Sequence, residues 1–455
     1  MVMIKTGVLK YMRNRNFSLE EVYGVGEKPL NECPTFVERD IHNQFKYCVE
    51  SEEVHIIVYG ASRQGKTWMV ERYCPNFIRV GCDIKFTRNQ IFKAILSELG
   101  IKVGEVTNDK GNEFNTEVGI EAKGSVKVPL LVKGEVKANG KINMGHHSGE
   151  GLSYINIDLD NHTEVISAIK NSIKDKFIVI ENFHYLNNSV QKEFASSLRE
   201  FLYHKIRVII VGVWKETTKI ASYVSDLSNR CEYIDIGDWL RPDLIKVVEK
   251  GNIAMNTAIS DEVINLFIDN SGYNIGDFKS LLKNYYKIYG IHGTIIGNER
   301  MLDDIEIANA SIEKSYKELI IPVLERIESL ATQKKSGSKG MRYYIVKAIL
   351  AIIDNTSSEN LLNGIPFQDI CNEVNAYEGI YFDTGNIKQE LLQLHLREET
   401  GKANKGMNTN LIPLFYFDRS KNNGKLFILE SALIAAKNHH GVKLNEILGT
   451  VENYV

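Results

Sequence analysis

The sequence predicts an α/β chain built on a parallel β-sheet, with a mostly helical region behind it and a smaller helix-and-hairpin unit at its end. Three observations predict this. The apolar run Ile56-Ile57-Val58-Tyr59 has strand character and passes through a glycine-bearing loop into a helix-compatible stretch, 68–73. Similar runs at 76–80, 176–184, 207–213 and 232–236 alternate with helical stretches, which implies right-handed crossovers and a sheet covered on both faces. Beyond residue 238 the strand-like runs give way to helical periodicity.

The first strand leads into Gly60-Ala61-Ser62-Arg63-Gln64-Gly65-Lys66-Thr67, an unbroken match to G-x-x-x-x-G-K-[ST], followed by Trp68. Gly60 and Gly65 let such a loop curl so that backbone N–H groups point at phosphate oxygens, and the following helix adds the positive end of its dipole. Lys66 is expected to reach the β- and γ-phosphates, and Thr67 to offer its hydroxyl to Mg²⁺. ATP and Mg²⁺ are therefore the expected cofactors.

Composition bounds the rest. At 455 residues the chain is long enough for two or three domains. Hydrophobic content of 43% and charged content of 25% are those of a soluble globular protein. A formal net charge of −3 means that any nucleic-acid surface has to be local. Six cysteines without a C-x-x-C read as reduced thiols in a cytoplasmic protein rather than a zinc site. No signal peptide or apolar run of membrane-spanning length is present, so a membrane is not an expected partner.

Taken in order, residues 1 to about 30 read as an irregular lead-in, and 41–49 as a helix. After the glycine loop come strand 76–80 and helix 88–99, the latter with Ile91, Ile95 and Leu99 at helical spacing. Residues 102–153 differ. From 118 to 144 apolar and charged residues alternate across a turn near 129–131, which predicts a long two-stranded hairpin. Its apolar face has to meet the body of the protein, a neighbouring subunit or lipid, because a lone hairpin is marginal in water. Helices follow at 158–173, 189–203 and 217–227, alternating with the later strands. Helices at 241–251, 261–270 and 278–289 lie in a segment ending near 330, and 334–340 has the composition of a linker. Helices at 341–354, 367–374 and 384–399, then a hairpin of strands 414–417 and 426–429, look like a winged helix.

This order of motifs resembles the AAA+ ATPases, in particular the origin-recognition, initiator-like subgroup and its bacterial relatives. The resemblance covers roughly residues 30–290, and the winged helix extends it. It implies an AAA+ α/β domain at 1–237 carrying the 102–153 insertion, a helical lid at 238–333 and a winged-helix domain at 341–455. Phe36-Val37-Glu38-Arg39 stands where the subgroup carries its adenine-side box, which makes Arg39 a nucleotide contact. Glu181-Asn182 stands at the Walker B position, with Glu181 holding Mg²⁺ directly or through water. Ser228-Asn229-Arg230 matches the site of a trans-acting arginine finger, and Gly276-Asp277-Phe278-Lys279 the sensor-2 helix, with Lys279 where arginine is usual.

Two departures matter. The family has Asp-Glu at Walker B, whereas Asn182 carries an amide that orients water but takes no proton. Slow hydrolysis is expected, or else Glu181 or His184 supplies the base. No residue after the 207–213 strand is assignable as sensor 1. The C-terminal unit offers Asn386, Lys388, Gln389, Gln393 and Arg397 on its recognition helix, diluted by Glu390, Glu398 and Glu399. Lys402, Lys405, Arg419, Lys421 and Lys425 are placed to meet phosphates. The implied function is an ATP-hydrolysing AAA+ protein that oligomerises around ATP and engages double-stranded DNA, as in an initiator, a transposition regulator or an antiviral defence component. The alternative is a STAND-like signalling NTPase that switches a protein effector, its hairpin lining a channel or facing a membrane.

Overall fold

Five short strands carry the nucleotide-binding half: β1 (His55–Tyr59), β2 (Phe77–Gly81), β5 (Phe177–Glu181), β6 (Val208–Val211) and β7 (Cys231–Asp235). They pair in the order β2-β5-β6-β1-β7, and every pairing is parallel. The computed structural model describes residues 15–24, 33–50, 54–104, 153–214, 219–331, 340–399, 413–419, 424–439 and 443–448. The parallel α/β sheet expected from the sequence is present.

The strands are apolar throughout because both faces are covered. Ile57, Tyr59, Ile178, Ile180 and Ile210 face one core with the helices Arg88–Glu98, His162–Ile173 and Asn188–Tyr203. Ile56, Val58, Val179, Ile209 and Ile234 face a second core with the helices Asp40–Glu50 and Lys66–Tyr73. Period-2 geometry thus divides each run between two layers.

His55 opens β1 fully buried. Its Nδ1 accepts from the Val208 N–H at 3.2 Å, so Nε2 carries the proton and donates to the Leu198 carbonyl at 2.7 Å. Burial holds its pKa down at about 4. The folded pKa is lowered, so this contribution to stability is complete above pH 6.5 and is lost as pH falls toward 4. A His55→Gln variant lacks that dependence. The stability gap between wild type and variant should therefore narrow between pH 7 and pH 4.5, by on the order of 3 kcal/mol. Urea melts at those pH values measure it, and a constant gap would contradict the assignment.

Two further strands, β3 (Ile101–Gly104) and β4 (Ser153–Asn156), pair in parallel. They bracket the inserted segment, and the hairpin expected at 118–144 lies outside the described residues. Two tiny strands missed by periodicity, β8 (Thr257–Ile259) and β9 (Arg300–Leu302), also pair in parallel. The helices Arg241–Met255, Asp261–Asn270, Ile275–Ile288 and Ile305–Ser315 form a third core around Phe267, Phe278, Tyr285 and Tyr286, in the region expected to be the lid.

The structure corrects two boundaries. Within the supposed lead-in, Leu19–Tyr23 is a helix capped reciprocally by Ser18 and Glu21, and Val22 and Tyr23 are fully buried in the lid core. The core of the helices beyond residue 238 thus takes in a turn from near the start of the chain. The other correction concerns the linker. Helices Ile321–Ala331 and Met341–Asn355, which flank it, share one core with the C-terminal unit. The core changes instead at a single π-turn, Tyr316–Ile320, inside a continuous helical run.

The C-terminal elements run helix Met341–Asn355, β10 (Ile365–Pro366), helix Phe367–Ala376, helix Thr384–Glu399, β11 (Phe415–Asp418) and β12 (Lys425–Ile428). The three strands form an antiparallel sheet in the order β10-β12-β11. All six cysteines are buried and unbridged. Among the described residues no helix is long and apolar enough to cross a membrane.

Candidate nucleotide-binding site

Chain order reverses at β1, which lies between β6 and β7, and crevices open at such a point beyond the C-terminal strand ends. A cavity of about 280 Å³ occupies this place. Its floor is Ser62 to Trp68; Glu181, Asn182 and His184 form one wall, Phe36, Val37 and Trp239 another, and Gly276 and Lys279 close it from the lid.

The loop has the backbone its glycines permit. Gly60 has φ 136° and Gly65 φ 93°, and a Cβ at Gly60 would lie 2.5 Å from Ile236 Cγ2. The helix Lys66–Tyr73 begins immediately behind, its N-terminus facing the cavity floor. Lys66 is buried, and its Nζ donates to the carbonyls of Gly60 at 3.1 Å and Ala61 at 2.5 Å. Those weak partners are what a phosphate would displace.

Thr67 Oγ1 donates to Glu181 Oε2 at 3.3 Å. Burial pushes the Glu181 carboxyl up, opposed by Arg79, whose Nε is 3.8 Å from Oε1. Oε1 is shielded and has no hydrogen-bond partner. A hydroxyl and a carboxylate side by side, with an acceptor to spare, are the hard oxygen donors that suit Mg²⁺. Among the described residues no cluster of three or more His, Cys, Asp or Glu forms a metal cage. An ion here would complete its shell with phosphate and water, as Mg²⁺ commonly does.

Asn182 has a local reason. It adopts φ 59°, ψ 30°, and starts the 3-10 turn Phe183–Tyr185 with its own side chain exposed. Asparagine tolerates this left-handed backbone better than glutamate does. His184, next on the turn, has both ring nitrogens shielded and without a hydrogen-bond partner. Burial, then Lys66 and Lys219, push its pKa down to about 3.

On the lid side Lys279 is buried, with Nζ 5.4 Å from the centre of the Trp68 ring and 3.5 Å from Cys33 Sγ. Arg63, at φ 60°, lines the cavity floor and binds the helix Ile275–Ile288. It pairs with Asp277, and its Nη2 donates to Ser280 Oγ at 2.9 Å. Ser431 of the C-terminal unit donates to the other Asp277 oxygen at 2.9 Å. One carboxylate thus ties phosphate loop, lid and C-terminal unit together, though burial still pushes its pKa up.

Other expected residues take different places. Arg39 is not among the cavity-lining residues. Its guanidinium donates to the carbonyls of Ile236 at 2.6 Å and Asp238 at 3.2 Å and lies over Trp239. Trp239 in turn donates to the Gln64 carbonyl at 3.2 Å, so Arg39 braces the loop from behind. Arg230 directly precedes β7, and its carbonyl accepts from His55 N at the start of β1. That is the opposite end of the sheet, about 17 Å along a five-residue strand from the phosphate loop. Trp214 is buried and stacked on Tyr59, so it is core. Sequence reasoning missed Trp239, Asn274 and the coupling through Ser431. Asn274 Nδ2 donates to the Ser62 carbonyl at 2.8 Å. A capping signature of Asn two and three residues before Gly276 and Asp277 was the available signal.

No protein-family model matches this sequence, and no curated protein matches it. Solved structures do. The Walker-type ATPase paby2304 of Pyrococcus abyssi superposes with a TM-score of 0.50 at 11% identity, over 90% of this chain and 99% of that one. Cdc6p of Pyrobaculum aerophilum has a TM-score of 0.38 at 12% identity, over 92% and 97%. The Orc1 protein of Aeropyrum pernix, solved with DNA, has a TM-score of 0.38 at 9% identity, over 93% and 96%. At 11% identity the first of these speaks to fold alone. Together with the strand order and the loop geometry, it shows a mixed α/β fold with a five-stranded parallel sheet and a phosphate-loop turn at its switch point.

Proposed function

We propose that this chain is a cytoplasmic AAA+ protein of the initiator-like kind that binds and hydrolyses ATP, assembles with ATP at subunit interfaces and engages double-stranded DNA. The observation that carries the reading is the cavity at the C-terminal end of β1, where Lys66, Thr67 and Glu181 converge beneath Lys279. Mg²⁺, when held by Thr67 and Glu181, neutralises charge on the β- and γ-phosphates. The backbone of 60–67 cradles the phosphates, and Lys66 and Lys279 supply cations from below and above. Trp68, Phe36 and Val37 form the apolar flank against which a base packs. Arg230, at the far end of the edge strand β7, serves a neighbouring subunit's γ-phosphate.

The C-terminal unit is read as a winged helix. On the helix Thr384–Glu399, Asn386, Gln389 and Gln393 are exposed. Glu390 is turned inward onto Arg342 at 2.6 Å, so it dilutes the basic face less than the sequence suggested. Arg419, which directly follows β11, is exposed, and Lys425 bonds to the Asn363 carbonyl. A second reading, a signalling switch acting on a protein effector, is favoured by the Arg63–Asp277–Ser431 connection, which gives nucleotide state a route to the C-terminal unit.

Gel shifts with double-stranded DNA, at 50 and 200 mM salt, with ATPγS or ADP, separate the two. DNA engagement predicts a shift that weakens at least about tenfold over that salt range, since phosphate contacts release counterions. Absence of any salt-sensitive shift in both nucleotide states would favour the protein effector.

A further inference from the structure

We propose that His184 is a catalytic residue, the group that holds the attacking water and receives its proton during ATP hydrolysis. This deepens the ATP-hydrolysis reading and rests on it. Three features of the structure support it.

The turn that carries His184 is rigidly held. Phe183 is fully buried, with its ring 5.9 Å from Phe194 and 6.5 Å from Trp214, while the left-handed Asn182 bends the chain away from β5. The His184 side chain is thereby delivered to the cavity wall that also holds Lys66, Thr67 and Glu181. Its ring packs on Tyr185 at 4.2 Å.

The imidazole is also unsatisfied. His55 uses both nitrogens, and His42 Nδ1 accepts from the Arg39 N–H at 3.0 Å. His184 has no such partner on either nitrogen. A buried polar group left this way costs about 1–3 kcal/mol, which a ligand contact would recover.

Finally, the alternatives are otherwise engaged. Glu181 bonds to Thr67 and lies beside Arg79, in the place of a metal ligand. Asn182 is exposed, and its amide takes no proton. Around His184 lie Lys66 and Lys219, with Glu181 and Tyr185; burial first, and then the two cations, keep the imidazole neutral and able to accept a hydrogen bond from water, and they oppose its protonation until a γ-phosphate's negative charge lies beside it.

In the proposed step the water oxygen bonds to the γ-phosphorus. The bond from that phosphorus to the β–γ bridging oxygen breaks, and its electron pair leaves with ADP. The water's proton passes to a ring nitrogen of His184 and then to the released phosphate, restoring the neutral ring.

The test uses full-length wild type, His184→Gln, His184→Ala and Lys66→Ala, with ADP and ATPγS binding by calorimetry and single-turnover ATP hydrolysis. Glutamine keeps the hydrogen bonds but takes no proton. His184→Gln should bind ADP within about twofold of wild type while its single-turnover rate falls at least about 100-fold. His184→Ala should weaken ATPγS more than ADP, because the proposed contact is to the water beside the γ-phosphate, which ADP lacks. Wild-type turnover by His184→Gln would overturn the inference and leave the ATP reading standing. Equal weakening of ADP and ATPγS in both His184 variants would also overturn it, showing a wall residue. Failure of wild type itself to bind either nucleotide more tightly than Lys66→Ala would remove the ATP reading instead.

Discussion

Lys66→Ala is expected to remove nucleotide binding while leaving the fold in place. The Lys66 ammonium rests on two backbone carbonyls, those of Gly60 and Ala61. Both are neutral acceptors, so removing the side chain strands no opposite charge on them. Loss of stability should therefore be small, about 1 kcal/mol. The effect on ligand is far larger. A charge-assisted hydrogen bond contributes roughly 1.5–3 kcal/mol, and Lys66 is positioned to make at least two with a triphosphate. Affinity should fall by about 100-fold to 1,000-fold for ATP, and less for ADP, which lacks the γ-phosphate. Calorimetric titration with both nucleotides, beside a thermal melt, reads the two effects separately. Retention of wild-type ATP affinity would show that 60–67 is only a glycine-rich turn.

Arg230→Ala should leave nucleotide affinity unchanged and abolish hydrolysis. The reason is geometric. Arg230 precedes β7 at the N-terminal end of the sheet, whereas the phosphate loop leaves the C-terminal end of β1. No side chain spans that strand length, so Arg230 cannot serve its own site. An arginine acting in trans supplies roughly 10³–10⁵ in rate. The stronger check is complementation. Arg230→Ala retains an intact phosphate loop, and Lys66→Ala retains an intact arginine. Mixing the two inactive proteins should restore part of the activity, because some interfaces then hold one intact half from each. Light scattering with ATP, ADP and no nucleotide should show ATP-driven assembly in the wild type. If Arg230→Ala hydrolyses ATP normally, or the mixture stays inactive despite assembling, Arg230 is a surface residue with no part in the site.

What was legible in the sequence has a common character. The phosphate loop is contiguous, and its conformation depends on residues at most a few positions apart, so motif and geometry coincide. The parallel sheet was legible for the same reason. Five apolar runs, each too short for a helix and separated by helical periodicity, admit few other arrangements. Helix Thr384–Glu399 and helix Asp261–Asn270 were read with their observed bounds because amphipathic spacing and end signals agree there.

The remainder depended on contacts between residues distant in sequence. Glu181 meets Thr67 across 114 positions, and Arg63, Asp277 and Ser431 join three segments of the chain. Leu19–Tyr23 reads as irregular because five residues carry too little periodicity, and burial in the core of the later helices adds to the Ser18–Glu21 capping box to hold that turn. The linker composition at 334–340 marked a connection between two helices of one core rather than a domain boundary. Arg39 has the character of a phosphate or base contact, but nearby carbonyls and Trp239 take up its guanidinium. Asn182, read as the loss of a catalytic carboxylate, also answers a backbone requirement at φ 59°. Short-range sterics and hydrophobic period specify the phosphate loop, the sheet that presents it and the alternation of elements, so these are readable from the residues alone. Tertiary structure decided which side chains reach the cavity and which are consumed in supporting it, because hydrogen-bond partners distant in the chain are chosen by packing, and no local pattern encodes that choice.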